Sequence, residues 1–359
     1  MTESDSHDRE ATNRSDSEPP PVTPPSEPSA SDPRPLPPNP YSGFLILLSC
    51  VAIWGVNAVA FKICTRPPTG TGFDPLFLTG LRFVVVAPCM ALLVGLKQPK
   101  SLFLPPGDWK RYLLFGFVAI VLAETLQPLA LRFTSVANLT LLSHGTISLF
   151  TAFWALLFFK QRITRAGWVG AVVAMFGVAL VAANGSQGGF RLDADSLKGD
   201  AIALFRSFEH SLYLLALSWW LRMRPTLQVS LFNCVFGALW LLPYVVYRSI
   251  GFPWEDVPRY VWGWLLWTIF PTTLYGFLAW NWAMRRVGAL AATNTFYLMP
   301  VSAAVAARVL LGEPVTPGQG LGGLVILVGI LLLRWETLVE AGVIRGRPEI
   351  RWRRRDDNE

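Results

Sequence analysis

Ten apolar runs, each near the length of a membrane-crossing helix, constrain this chain more than any other feature. They fall at 43–64, 75–96, 112–131, 136–159, 166–183, 199–221, 226–247, 259–284, 289–311 and 319–334. At about 1.5 Å per residue, about 20 apolar residues cross a hydrocarbon layer about 30 Å thick, whereas barrel strands alternate over about ten. The pattern predicts an all-α membrane protein with ten transmembrane helices. Only 15% of residues are charged and 52% are hydrophobic, against about a quarter charged in soluble domains. That balance excludes a soluble enzyme domain, and the number of runs excludes a single-span anchor.

The ends are polar. Residues 1–42 read as a disordered cytoplasmic tail, since 1–40 hold 11 of the 28 prolines and 8 acidic against 3 basic side chains. The segment is too acidic for a transit peptide and lacks the apolar core of a signal peptide. Residues 336–359 form a basic tail with Arg345, Arg347, Arg351, Arg353, Arg354 and Arg355. With the first tail inside, inner loops hold eleven Lys and Arg between spans and outer loops six. The positive-inside rule then predicts both termini in the cytoplasm and a multi-pass cell-membrane protein. The net charge of +7 reflects this topology; the positive residues lie between apolar runs with no aromatic-interleaved stripe, so no nucleic-acid partner is expected.

The chain also looks duplicated. Shifted by 152 positions, Thr164 falls on Thr316, Gly170 on Gly322, Val173 on Val325, Gly177 on Gly329 and Leu180 on Leu332. Five spans per copy is an odd number, so the second copy enters the membrane in the opposite sense, giving two inverted five-helix repeats. The expected boundaries are 43–184 and 199–335, joined by an outer loop at 185–198. The recurring glycines clear a helix face for a close neighbour. Pro88, Pro128, Pro243, Pro271 and Pro300 each interrupt an apolar run and predict kinks.

Ionisable side chains inside a span cost roughly 2.5–3.5 kcal/mol by insertion scales, so they mark a hydrated or paired interior. Counted from the outer span ends, Arg82, Glu124, Asn57, His144 and Glu209 lie roughly 11–15 Å deep. In span six Arg206, Glu209, His210 and Tyr213 share one face. Gln127, Asn294, Tyr297 and Tyr275 complete the candidate substrate-binding or coupling set. Two readings stay open. In one, Arg82 pairs with Glu124 and Arg206 with Glu209, locking helices together. In the other, Glu124 or Glu209 exchanges a proton or an arginine holds an anionic group of the solute. Cys50, Cys64, Cys89 and Cys234 all lie in apolar stretches without ligand spacing, and no metal or cofactor is expected.

In Ile53-Trp54-Gly55-Val56-Asn57, Leu81-Arg82-Phe83, the run Leu131 to Ala137, Pro300 and Leu310-Leu311-Gly312-Glu313-Pro314-Val315-Thr316, the sequence resembles an EamA-type member of the drug/metabolite transporter superfamily. The resemblance covers about 43–334. It implies ten helices in two inverted repeats, cytoplasmic termini, and movement of small polar metabolites without ATP. In the first repeat Lys160-Gln161 stands where the family usually has Gly-Glu.

The leading expectation is a secondary-active transporter of small polar metabolites working by alternating access, with proton coupling as one option. Opposed charges at one depth point to amino acids or related zwitterions. The lipid bilayer and a small solute are the expected partners, and the sequence fixes no oligomeric state. No G-x-x-x-x-G-K-[ST] loop occurs. An intramembrane enzyme and a non-transporting scaffold with a carrier fold are the alternatives. The first lacks a nucleophile elbow, and the second predicts a lumen sealed by internal pairs.

Overall fold

A computed structural model describes residues 40–159, 164–183, 194–220, 223–287 and 295–333, and among them there are helices, turns and no strand. Asn294, one of the candidate site residues, lies outside the described residues, as do both tails. The helices are α1 (Pro40–Thr65), α2 (Pro75–Lys97) and α3, which runs Trp109–Gly116, passes through a π-helical stretch at Phe117–Leu122 and resumes at Ala123–Ala130. α4 consists of Val136–Ser143 and Ile147–Phe159, followed by α5 (Arg165–Ala183), α6 (Ala194–Trp220) and α7 (Thr226–Ser249). α8 is Arg259–Trp267, a π-helical stretch at Thr268–Tyr275, and Gly276–Val287. A 3-10 turn, Phe296–Leu298, leads into α9 (Met299–Leu311), and α10 is Pro317–Leu333.

Local chemistry sets several of these ends. The Asp74 carboxylate accepts from the N–H groups of Leu76 and Phe77, with Pro75 opening α2. Ser135 does the same for α4 through Asn138 N–H at 3.1 Å. α9 ends at Gly312, whose φ of 68° suits a residue without Cβ.

Six helices among the described residues are long and apolar enough to cross a membrane: Ser42–Thr65, Pro75–Lys97, Trp109–Ala130, Val136–Phe158, Arg165–Ala183 and Leu227–Ser249. Phe296–Leu311 and Pro317–Leu333 are apolar and shorter. The expected runs at 199–221 and 259–284 are helical too, but α6 carries Arg206 and Glu209, and α8 carries five tryptophans. The chain is a multi-pass helical membrane protein.

The 152-residue offset reappears in the backbone. Ile147–Phe159 falls on Met299–Leu311, Pro75–Lys97 on Leu227–Ser249, and the π-helical Phe117–Leu122 within Thr268–Tyr275. The break in α4 at residues 144–146 falls on the 3-10 turn Phe296–Leu298. α5 and α10 pack through the glycines the offset aligns. A Cβ on Gly170 would lie 2.5 Å from Gly329 O and one on Gly177 2.8 Å from Gly322 O, with reciprocal approaches of 2.6 and 3.1 Å. The offset carries Gly170 onto Gly322 and Gly177 onto Gly329, so it converts one contact into the other. Two antiparallel helices related this way share a two-fold axis perpendicular to both.

The prolines act differently from one another. Pro271 sits inside the π-helical part of α8, whereas Pro128 lies in the α-helical part of α3, and the Glu124 carbonyl four residues before it is met by Thr79 Oγ1 at 3.5 Å. Pro300, expected to kink its helix, instead occupies the first turn of α9, where its missing N–H leaves no intrahelical bond unmade. The interruption of α4 has no proline. There Gly145 N–H reaches Thr140 O at 3.3 Å, one residue beyond the α-helical partner.

Candidate functional site

The charged residues of α2, α3, α4 and α6 converge in the core. Arg82, 1% exposed, is ion-paired with Glu124, and its guanidinium lies 4.6 Å from the Phe83 ring centroid and 5.1 Å from that of Phe61. Its Nε and Nη1 have no hydrogen-bond partner among the described residues. The Arg82–Glu124 pair of the structural reading is therefore present, although it satisfies only part of the arginine.

The second pair of that reading is not. Arg206, 3% exposed, sends Nε to the Ala123 carbonyl at 3.1 Å and Nη1 to Ser143 Oγ at 2.6 Å, with His144 Nε2 at 3.4 Å. The π-helical stretch of α3 ends just before Ala123, and the break in α4 begins just after Ser143. Both irregularities thus present acceptors to a cation from a third helix. Glu209, one turn along α6, is left with both carboxylate oxygens buried and no hydrogen-bond partner among the described residues. Buried polar groups nearly always find partners, so such a carboxylate marks a place that a proton, a cation or water fills.

Around it stand His144 and His210, whose Nδ1 atoms are also buried without hydrogen-bond partners among the described residues, and Tyr213, whose hydroxyl accepts from Asn233 Nδ2 at 2.9 Å. The His210 and Tyr213 rings are 5.6 Å apart. Arg82, Glu124, His144, Arg206, Glu209, His210 and Tyr213 therefore form one cluster. Asn57 and Gln127 are buried on α1 and α3, and Asn57 Oδ1 has no partner among the described residues. Tyr297 stands apart, sharing a 2.8 Å hydrogen bond with Ser148 on the edge of an apolar cavity. Tyr275 is 41% exposed and bonded to Ser49 at 2.8 Å, so it belongs to the α1–α8 surface. Ser143 and Asn233 are members that the sequence reading passed over, because a serine or asparagine within an apolar run carries no charge to betray its partner.

A second polar network lies at the end of the bundle holding Thr65, Val136 and Gly312. Lys62 of α1 is ion-paired with Glu313, whose other oxygen accepts the Val136 N–H at 3.2 Å. Gln319 Nε2 donates to Asn138 Oδ1 at 2.7 Å and to Ser135 Oγ at 3.2 Å. Asn138 Nδ2 donates to both oxygens of Asp200, which also accepts from Thr134 Oγ1 at 2.6 Å. Lys62, Thr134, Ser135, Val136 and Asn138 precede residue 184, while Asp200, Glu313 and Gln319 follow 199, so every one of these cross-links joins the two halves of the sequence. Aromatic packing joins them elsewhere: Trp54 stacks on Phe296 at 5.7 Å and donates its indole N–H to Thr272 O at 3.0 Å.

A polytopic helical bundle, built of two offset halves around a buried charged cluster, is the architecture of a membrane carrier. The EamA-like transporter family model matches residues 41–183 and again 197–335, one match for each half. The chain belongs to the EamA-like transporter family, a family of small-molecule transporters. It is 26% identical over 277 residues to the uncharacterized transporter YyaM of Bacillus subtilis (strain 168), covering 76% of this chain and 86% of that one. It is 25% identical to a probable amino-acid metabolite efflux pump of Escherichia coli (strain K12), covering 84% and 98%. A probable terminal-alkyne amino-acid exporter of Streptantibioticus cattleyicolor (strain ATCC 35852 / DSM 46488 / JCM 4925 / NBRC 14057 / NRRL 8057) is 27% identical over 53% of this chain and 61% of that one. A crystal structure 19% identical shares the fold, with a TM-score of 0.57 over 84% of this chain and 99% of that chain.

Proposed function

We propose that this protein is a secondary-active carrier of small amino-group-bearing metabolites, working by alternating access in the cell membrane. Ten spans in two inverted repeats, with both termini cytoplasmic, are the corresponding topology. The glycine contacts that exchange under the 152-residue offset and the paired π-helical stretches support the repeat. The positive-inside bias supports the orientation.

The observation that carries the functional reading is Glu209. Its two oxygens are buried without hydrogen-bond partners among the described residues, while the neighbouring Arg206 donates to α3 and α4. A carboxylate in that condition serves either a substrate ammonium or a coupling proton, and alternation between the two is a means of exchange. Arg82 and Glu124 hold α2 against α3 as its fixed counterpart. The names of two relatives, one an amino-acid metabolite efflux pump and one an amino-acid exporter, favour amino acids or their derivatives as the solute. The inter-half network of Lys62, Asn138, Asp200, Glu313 and Gln319 serves as the closed outer gate in this reading.

The test is flux of labelled amino acids in proteoliposomes, with and without an imposed pH gradient. The native protein is expected to move at least one amino acid faster than empty vesicles, and Glu209→Gln to abolish the response to the gradient while still folding. Native-rate, gradient-responsive flux by Glu209→Gln would falsify the assignment of Glu209.

A further inference from the structure

The geometry points to a binding site for an anionic phospholipid in the groove between α4, α9 and α10, with one acyl chain along the groove and the phosphate on Arg308. The groove encloses about 600 Å³ and is lined by Leu141, Gly145, Val301, Val305, Gly323 and Leu327 among others. Pockets that hold small ligands run from about 300 to 1,000 Å³, so this one is large enough for a chain to be gripped from three sides, beyond lying against a flat helix face.

Its space has a local cause. Ala304 and Gly320 line it, and a Cβ built on Gly320 would meet no atom within 4 Å, so nothing on α10 fills the volume at that level. Polarity is confined to its edges. Tyr297 is bonded to Ser148, and Gln319 to Ser135 and Asn138, so both are engaged by protein.

Arg308 differs. It is exposed, its guanidinium makes a 3.4 Å contact from Nη1 to the Gly312 carbonyl, and no carboxylate of the described residues lies within ion-pair distance. It stands three residues before α9 ends at Leu311, about 5 Å of helix rise from the end of this apolar helix, while Pro300 lies about 12 Å further along the groove toward the other end. An arginine fork at the interface above an apolar slot complements a phosphate above an acyl chain. A net anionic headgroup is required, because a zwitterionic one brings its own cation to the same guanidinium.

Native mass spectrometry of the full chain, titrated in mild detergent with phosphatidylglycerol or phosphatidylcholine, tests this. The native protein is expected to retain phosphatidylglycerol about tenfold more tightly than phosphatidylcholine. Arg308→Gln should remove that preference and leave phosphatidylcholine retention unchanged, whereas Gly320→Leu should weaken retention of both. Arg308 is exposed and its replacement leaves the fold intact, so this variant decides the matter even if Gly320→Leu fails to accumulate. Equal retention of the two lipids by the native protein, or an unchanged preference in Arg308→Gln, overturns the assignment. So does a native protein found as a dimer retaining neither lipid, since a second copy of the chain would then be what covers the groove.

Discussion

Arg206 and Glu209 stand one turn apart on α6, yet no hydrogen bond joins them: the arginine reaches across to Ala123 and Ser143, and neither carboxylate oxygen has a hydrogen-bond partner among the described residues. Proximity along a helix was overruled by better acceptors on two other helices. A backbone carbonyl beside a π-helical stretch and a hydroxyl beside a helix break accept from the guanidinium, and neither oxygen of Glu209 has a hydrogen-bond partner among the described residues.

Glu209→Gln is accordingly expected to melt at or above the native temperature, since a buried charge without hydrogen-bond partners costs more than the neutral amide that replaces it. The same substitution should weaken half-saturation for a cationic or zwitterionic solute by roughly tenfold or more, as loss of a hydrogen bond to charge implies. Thermal unfolding in detergent and concentration-dependent uptake measure the two effects separately.

Arg82 and Glu124 should behave in the opposite way. Arg82→Met leaves a buried carboxylate without its cation and is expected to cost about 3–5 kcal/mol. Adding Glu124→Gln should restore most of that loss, because the stranded charge is then gone. Unfolding midpoints of the two single variants and the double variant give the coupling directly.

At the proposed outer gate, Asn138→Leu deletes its two bonds to Asp200 and the one from Gln319. At about 0.5–1.5 kcal/mol net per bond, the opening equilibrium should rise roughly tenfold or more. In a background with the four native cysteines replaced, Val136→Cys, buried at this level with a side chain that makes none of the network's bonds, should then react faster with a membrane-impermeant maleimide added to intact cells. An unchanged labelling rate would count against the gate.

The α5–α10 crossing gives a stability prediction. Gly177→Val places side-chain atoms where backbone atoms of Gly322 and Ile326 already lie within 2.8 Å of a Cβ, and should cost at least about 1–3 kcal/mol. Gly263→Ala, where a Cβ meets nothing within 4 Å, is the matched control and should leave the midpoint nearly unchanged.

The apolar runs carried the helices and the glycine spacing carried the repeat, because hydrophobic length and a 152-residue offset are properties of the sequence by itself. Depth counting also brought Arg82, Glu124, His144 and Glu209 to one level. The partner of Arg206 was not legible, since Ala123 contributes a backbone carbonyl, which has no signature in a side-chain pattern. Asp200, Asn138 and Gln319 escaped notice for another reason. Each lies close to the end of an apolar run, where polar residues ordinarily face water, and only packing of the two halves reveals that all three are buried.

The paired glycine contacts constrain how the halves can move. A shift of α10 by one helical turn along α5 would set Gly329 against Val173 or Ala174 in one direction and Gly322 against the same residues in the other, and both carry a Cβ, so axial sliding is blocked either way. The crossing therefore acts as a latch on register: it fixes where α5 and α10 stand along one another, and with them the axial offset of the two halves of the sequence at this seam.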